Sequence, residues 1–88
     1  MILTRSEATA WRVIEGEAMI LSLDTKAFRG LNAVGSRVWE LIDGRNSVDE
    51  IVEAITREFD VTRERAATDI SAFMQQLLDK GLVITAVS

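Results

Sequence analysis

The sequence predicts an α+β domain: a three-stranded antiparallel β-meander followed by three helices. Three observations carry this. The hydrophobic period changes once, near Leu31, from about two residues to about three and a half. Four of the five glycines, Gly16, Gly30, Gly44 and Gly81, fall where elements should end, and the chain has no proline. From Asn32 on, the chain carries helix-capping signals that the first third lacks.

The first strand is Trp11-Arg12-Val13-Ile14. Glu15-Gly16 supplies a two-residue hairpin turn, with Gly16 free to take positive φ. In the next strand Met19, Leu21 and Leu23 alternate with Ala18, Ile20 and Ser22, which is the strand period. Asp24-Thr25-Lys26 is a polar turn, and Ala27-Phe28-Arg29-Gly30-Leu31 is the third, short strand. Asn32 is suited to cap a first helix running to about Asp43, with Val34, Val38, Leu41 and Ile42 on one face, Trp39 at its margin and Gly44 at the C′ position. Ser47 and Glu50 form a capping box for the second helix, where Val48, Ile51, Val52, Ile55 and Phe59 recur at helical spacing. Thr62 caps a third helix that extends to about Lys80, with Ala66, Ile70, Phe73 and Leu77 as its stripe. Gly81 ends it, Leu82 can close a Schellman contact, and Leu82–Thr85 should pack back as an extended segment.

With 88 residues the chain is one domain, 1–88, with its core over about 11–84. A domain this small buries only roughly 60–65% of its unfolded surface, so packing between elements must be good. Cysteine is absent, which favours a reducing compartment over a disulfide-stapled secreted one. No apolar run reaches the length of a membrane span, and the first residues lack a signal-peptide layout. A cytoplasmic location without membrane attachment is expected.

The chain has no His, Cys or Tyr. The commonest general base, the best nucleophile and the softest metal ligands are therefore missing, so neither catalysis nor a bound cofactor is expected. Asp49, Glu50, Glu53 and Glu58 on the second helix read as helix-dipole partners and a solvated face rather than a metal site. The net charge is −4, and Arg63 and Arg65 stand among Asp60, Glu64 and Asp69. That is a poor nucleic-acid surface.

Two features can carry binding. The third strand, Ala27 to Leu31, lies at an edge of the meander, and an open edge offers unpaired N–H and C=O groups to another chain. Gly30 leaves little bulk against an approaching backbone. On the third helix Ala67, Met74 and Leu78 widen the apolar arc beside Ile70, an arc that can line a groove or complete the core.

Leu31-Asn32, Val38-Trp39-Glu40-Leu41-Ile42-Asp43-Gly44, Ser47-Val48-x-x-Ile51, Asp69-Ile70-x-x-Phe73-x-x-x-Leu77 and Gly81-Leu82-Val83 together resemble the PqqD-like family of precursor-peptide recognition elements, over about Trp11 to Ile84. The resemblance implies a winged-helix-like fold of three strands and then three helices. It implies a function too: binding the leader segment of a ribosomally made precursor peptide as an added strand beside the third strand, with apolar leader side chains docked on the third helix. Ala27, Phe28, Arg29, Gly30, Leu31, Ala67, Ile70, Met74 and Leu78 are the expected peptide-binding residues. The expected partner is a separate modifying enzyme, namely a radical SAM enzyme, a cyclase or a leader protease. Two other classes compete. A winged-helix DNA binder would need a basic recognition helix and would usually end, not begin, with its strands. A small oligomerisation domain would use the open edge to pair a second copy into a homodimer.

Overall fold

The computed structural model describes residues 1–86; the last two residues of the expected domain lie outside that range. The order is β1 (Ile2–Arg5), β2 (Thr9–Ile14), β3 (Glu17–Ser22), β4 (Phe28–Gly30), α1 (Ala33–Leu41), β5 (Asp43–Ser47), α2 (Val48–Glu58), α3 (Arg63–Asp79) and β6 (Val83–Thr85). The predicted meander is β2-β3-β4, and the three predicted helices follow it. A second antiparallel sheet, β5-β1-β6, joins the two ends of the chain to the segment between α1 and α2.

Local chemistry sets the boundaries. At the β2–β3 hairpin Glu15 and Gly16 both have positive φ, 53° and 80°, the pair of left-handed residues that a type I′ turn needs. Asn32, Ser47 and Thr62 each accept the backbone N–H three residues on, and Ser47 and Glu50 complete a reciprocal capping box. At the end of α3, the Leu82 N–H donates to Leu77 O and the Gly81 N–H to Leu78 O, with Gly81 at φ 72°. This is a Schellman closure, and only glycine takes that conformation without strain. The reversal sends Leu82 into the core and Val83–Thr85 onto β1, so the predicted extended tail is β6.

The first helix is shorter than its periodicity suggests. It stops at Leu41 with Ile42 as C-cap, and Gly44 sits within β5 instead of at C′. Asp43 explains the early exit. Its Oδ1 accepts the N–H groups of Arg45 and Asn46 at 2.9 and 3.1 Å, which turns the chain toward β1. Those two donors hold the Asp43 carboxyl below its ordinary range.

The core runs from Leu3 on β1 to Val83 on β6 and is centred on Trp39, Ile20, Ile42, Ile51, Ile55 and Leu77. Trp39 is fully buried rather than marginal. Its ring meets Trp11 edge-on at 6.1 Å and 85°, the favoured geometry for an aromatic pair. Arg5 lies 4.9 Å over Trp11 and donates to the carbonyls of Trp39 and Glu40 at the end of α1. One arginine thus covers an indole and satisfies helix-terminal acceptors.

On β3 the smaller set, Ala18, Ile20 and Ser22, faces inward. Ala18 has no bulk to hold α1 away, and Ser36 on α1 joins the two. Its hydroxyl accepts the Ala18 N–H at 2.6 Å and donates to Leu31 O at 3.2 Å. This pins the start of α1 beside the end of β4 and brings α1 into the wall of the groove described next.

Candidate peptide-binding groove

β4 is an edge strand: it pairs with β3 on one side only. The tail does not cover it, because β6 pairs with β1 in the other sheet. The pairing register shows which groups are open. The Leu31 N–H donates to Ala18 O, and the Ser22 N–H donates to Ala27 O. Backbone groups alternate along a strand, so Ala27, Arg29 and Leu31 turn theirs toward β3. Phe28 and Gly30 turn theirs outward.

Beside this edge runs a groove of about 610 Å³ between β4, α1 and α3. Arg29, Gly30 and Leu31 form the strand side. Val34, Gly35 and Val38 line it from α1, Ile55 from the end of α2, and Phe59 and Val61 from the loop that follows. Ala66, Ile70 and Phe73 form the α3 wall, with Asp69 and the loop's Asp60 adding carboxylates. The lining is therefore mainly aliphatic and aromatic. Gly35 keeps it open: a Cβ there would come within 3.2 Å of Asn32 Oδ1 and 3.7 Å of Phe73.

Arg29 reaches across the groove. Its guanidinium donates to Gln76 Oε1 at 3.1 Å and lies 5.9 Å over the Phe73 ring. The α1–α2 side is held by Arg37 and Glu58, which meet at 2.8 and 3.2 Å. That contact lowers the Glu58 carboxyl and raises the Arg37 guanidinium from their ordinary values.

Of the residues singled out from the sequence, Arg29, Gly30, Leu31 and Ile70 come together in the groove. Ala27 and Phe28 continue the same edge, and the Phe28 side chain is 63% exposed. Ala67, Met74 and Leu78 do not line the groove. Met74 is buried in the core, and Ala67 and Leu78 pack against it. At about 100° per residue, they occupy the flank of α3 opposite Phe73 and Asp69, with Ile70 and Leu77 between. Phe73 was legible as part of the α3 stripe. Phe59 and Val61 had a weaker signal, two apolar residues flanking Asp60 between helices.

Most of the charged side chains singled out from the sequence pair with one another or cap a helix. Glu50 caps α2, Glu53 pairs with Arg63 at 2.9 Å, Glu58 pairs with Arg37, and Arg65 pairs with Asp69 at 3.1 Å. No helix among the described residues is long and apolar enough to cross a membrane.

Residues 17–83 match the family model described as coenzyme PQQ synthesis protein D (PqqD). The PqqA binding protein of Gluconobacter oxydans (strain 621H) is 30% identical over 69 residues, which are 78% of this chain and 71% of that protein. Among solved structures, TbiB1 in complex with the TbiA(beta) leader peptide superposes with a TM-score of 0.87 at 34% identity, covering 97% of this chain and 99% of that one. Lasso peptide synthetase B1 complexed with the leader peptide has the same fold, with a TM-score of 0.85 at 17% identity over 96% and 99% of the two chains. An edge strand beside an apolar groove, built by strands and helices in this order and matched along most of its length, places this chain in the PqqD family.

Proposed function

We propose that this chain captures the leader segment of a ribosomally synthesised precursor peptide as a fourth strand on β4 and delivers it to a separate modifying enzyme or protease. The observation that carries the reading is the open edge at Phe28 and Gly30 alongside a largely apolar groove. Strand addition draws affinity from main-chain hydrogen bonds and selection from side-chain pockets, and the open backbone groups and the groove supply the means for both. Every second leader residue would point into the groove, where apolar side chains fill the space between Leu31, Val34, Ile55, Ile70 and Phe73.

The comparisons support the same reading. One relative is named for binding PqqA, and the TbiB1 and B1 structures each hold a leader peptide. The domain itself carries out no chemistry and needs no cofactor; it acts in the cytoplasm, where precursors are made. DNA binding has no support: Arg63 and Arg65 are engaged by carboxylates, and the net charge is −4.

The test is titration of the purified domain with the synthetic leader of the precursor encoded beside its gene, read by fluorescence anisotropy. Saturable one-to-one binding is expected, with the mass of the full precursor unchanged after incubation with the domain alone. No binding at high micromolar domain concentration would overturn the reading, and turnover by the domain alone would overturn its non-catalytic part.

A further inference from the structure

An antiparallel sheet with one face on a core normally turns a polar face to water. The β2-β3-β4 sheet does not. Opposite Ala18 and Ile20, its outer face carries Ile14 (48% exposed) and Phe28 (63%), with Met19 and Leu21 half-buried between them. Ala10, Arg12, Ile14, Met19, Leu21 and Phe28 line a shallow hollow on this face, and Arg12 is its one charged lining residue. A contiguous exposed apolar surface of this kind marks an interaction site.

The hollow reaches the β4 edge at Phe28, and Gly30 lies two residues on along the same face. The register sets Gly30 beside Met19 and Phe28 beside Leu21. A Cβ built on Gly30 would lie 3.4 Å from Met19 Sδ, so Gly30 is a notch in the outer face with Met19 as its side wall. Phe28 and Gly30 are also the two residues whose backbone groups are open to an added strand.

We infer that the leader is read on both faces: the outer face of the β2-β3-β4 sheet is a second specificity surface that takes a bulky apolar leader side chain laid across Gly30 onto Met19. This rests on the strand-addition reading and adds to it. Side chains of an added strand alternate between the sheet's two faces. Residues pointing into the groove would be interleaved with residues pointing outward, and the outward pair lands beside Gly30 and Phe28. A side chain crossing a glycine on a neighbouring strand covers the space that the glycine leaves. The bound segment should therefore be apolar at consecutive positions, as in a strand buried on both faces, rather than at every second one. Continuity with the open edge and the notch at that edge argue for the leader, over a second copy or an enzyme, as the occupant of this face.

The test uses the synthetic leader encoded beside this chain's gene and a set in which each residue is changed in turn to serine. The domain variants are Gly30→Val, whose Cβ would sit 3.4 Å from Met19 Sδ and whose methyl groups fill the notch, and Met19→Ser, each checked for folding by thermal melting. Serine should weaken binding at adjacent leader positions, and Gly30→Val should raise Kd about tenfold or more, the scale of one lost apolar contact. Trimming the outward leader residue to alanine should restore part of the affinity for Gly30→Val and none for Met19→Ser. Sensitivity at alternate positions only, with unchanged affinity in a folded Gly30→Val domain, would overturn the inference and leave strand addition standing. So would unchanged leader affinity with lost enzyme capture or lost self-association, since either gives the face to another occupant. A leader that fails to bind the unaltered domain would instead remove the strand-addition reading itself.

Discussion

The β2-β3-β4 sheet has two open edges, and only one of them is furnished. Along β4 a groove opens between the strand, α1 and α3. Along β2, which is twice as long and exposed at five of its six residues, the described residues line no comparable groove, and α1 meets the strand through the Trp11–Trp39 contact. The β2 register (Leu23 N–H to Ala8 O) turns the backbone groups of Thr9, Trp11 and Val13 outward, so β2 offers more unpaired groups than β4. What distinguishes β4 is the wall beside it. Main-chain bonds alone are worth little net, because water satisfies a free edge as well. An edge selects a peptide when neighbouring apolar surface rewards the peptide's side chains for being there.

The largest effect should come from confusing the two flanks of α3. Met74→Asp places a carboxylate in the core and should destabilise the fold by about 3 kcal/mol or more, a large share of the total of about 5–10 kcal/mol for a domain this size. Phe73→Ala, on the groove flank, should leave a folded domain that binds leader at least tenfold more weakly. Circular dichroism and anisotropy titration separate the two. A Met74→Asp domain that melts like the unaltered one yet binds weakly would put Met74 in the peptide site after all.

Proline substitution tests the edges themselves. Arg29 turns its N–H toward β3, so Arg29→Pro should remove a ladder bond and strand a β3 acceptor, destabilising the fold by about 1–3 kcal/mol. Phe28→Pro removes an outward donor, which edge strands tolerate, and should give a folded domain that no longer binds leader. Val13→Pro does the same to β2 and should bind normally. If Val13→Pro and Phe28→Pro both abolish binding, the two edges are not distinguished by the groove.

Much of this arrangement was legible because it follows local rules. The Glu15-Gly16 hairpin, the Ser47/Glu50 box and the Gly81 closure each need only a few adjacent residues, and the edge strand and α3 followed from period. Three things were not legible. Asp43 and Gly44 read as the end of the first helix and Ser47 as the cap of the second, and only pairing with β1 makes Asp43–Ser47 a strand. Ile2–Arg5 is too short to show a period, so the second sheet was invisible from both sides. The apolar arc of α3 was visible, but its surroundings were not. Ala67, Met74 and Leu78 on one flank and Ala66 and Phe73 on the other look alike until α1 and β4 are placed, and Ser36 and Gly35 place them through contacts distant in sequence.

The smallest effect concerns the support of the α1–α2 side of the groove, and its direction follows from charge. Arg37 and Glu58 join α1 to the end of α2, behind Val34, Val38, Ile55 and Phe59. The Glu58 carboxyl is lowered first by its hydrogen bond to Arg37. A carboxylate lowered in the folded state contributes stability that is fully present above its unfolded pKa and is lost as the pH falls through the folded value. The Arg37 guanidinium, raised by the same contact, stays charged throughout. The tie is therefore intact at neutral pH and released only below the ordinary glutamate range. Both side chains are more than one-third exposed, so water and salt screen the pair and its loss should be slight. Asp43, lowered by its own backbone donors, titrates in the same acid range but supports the β5 turn. Glu58→Gln separates the two. At neutral pH it should weaken leader binding slightly while the melting temperature stays close to that of the unaltered domain. Titrated from pH 6 to 3, the unaltered domain should lose leader affinity relative to Glu58→Gln, and the two curves should converge at the acid end. Parallel curves would show that the groove wall stands without the Arg37–Glu58 tie, leaving packing around Ile55 and Phe59 as its support.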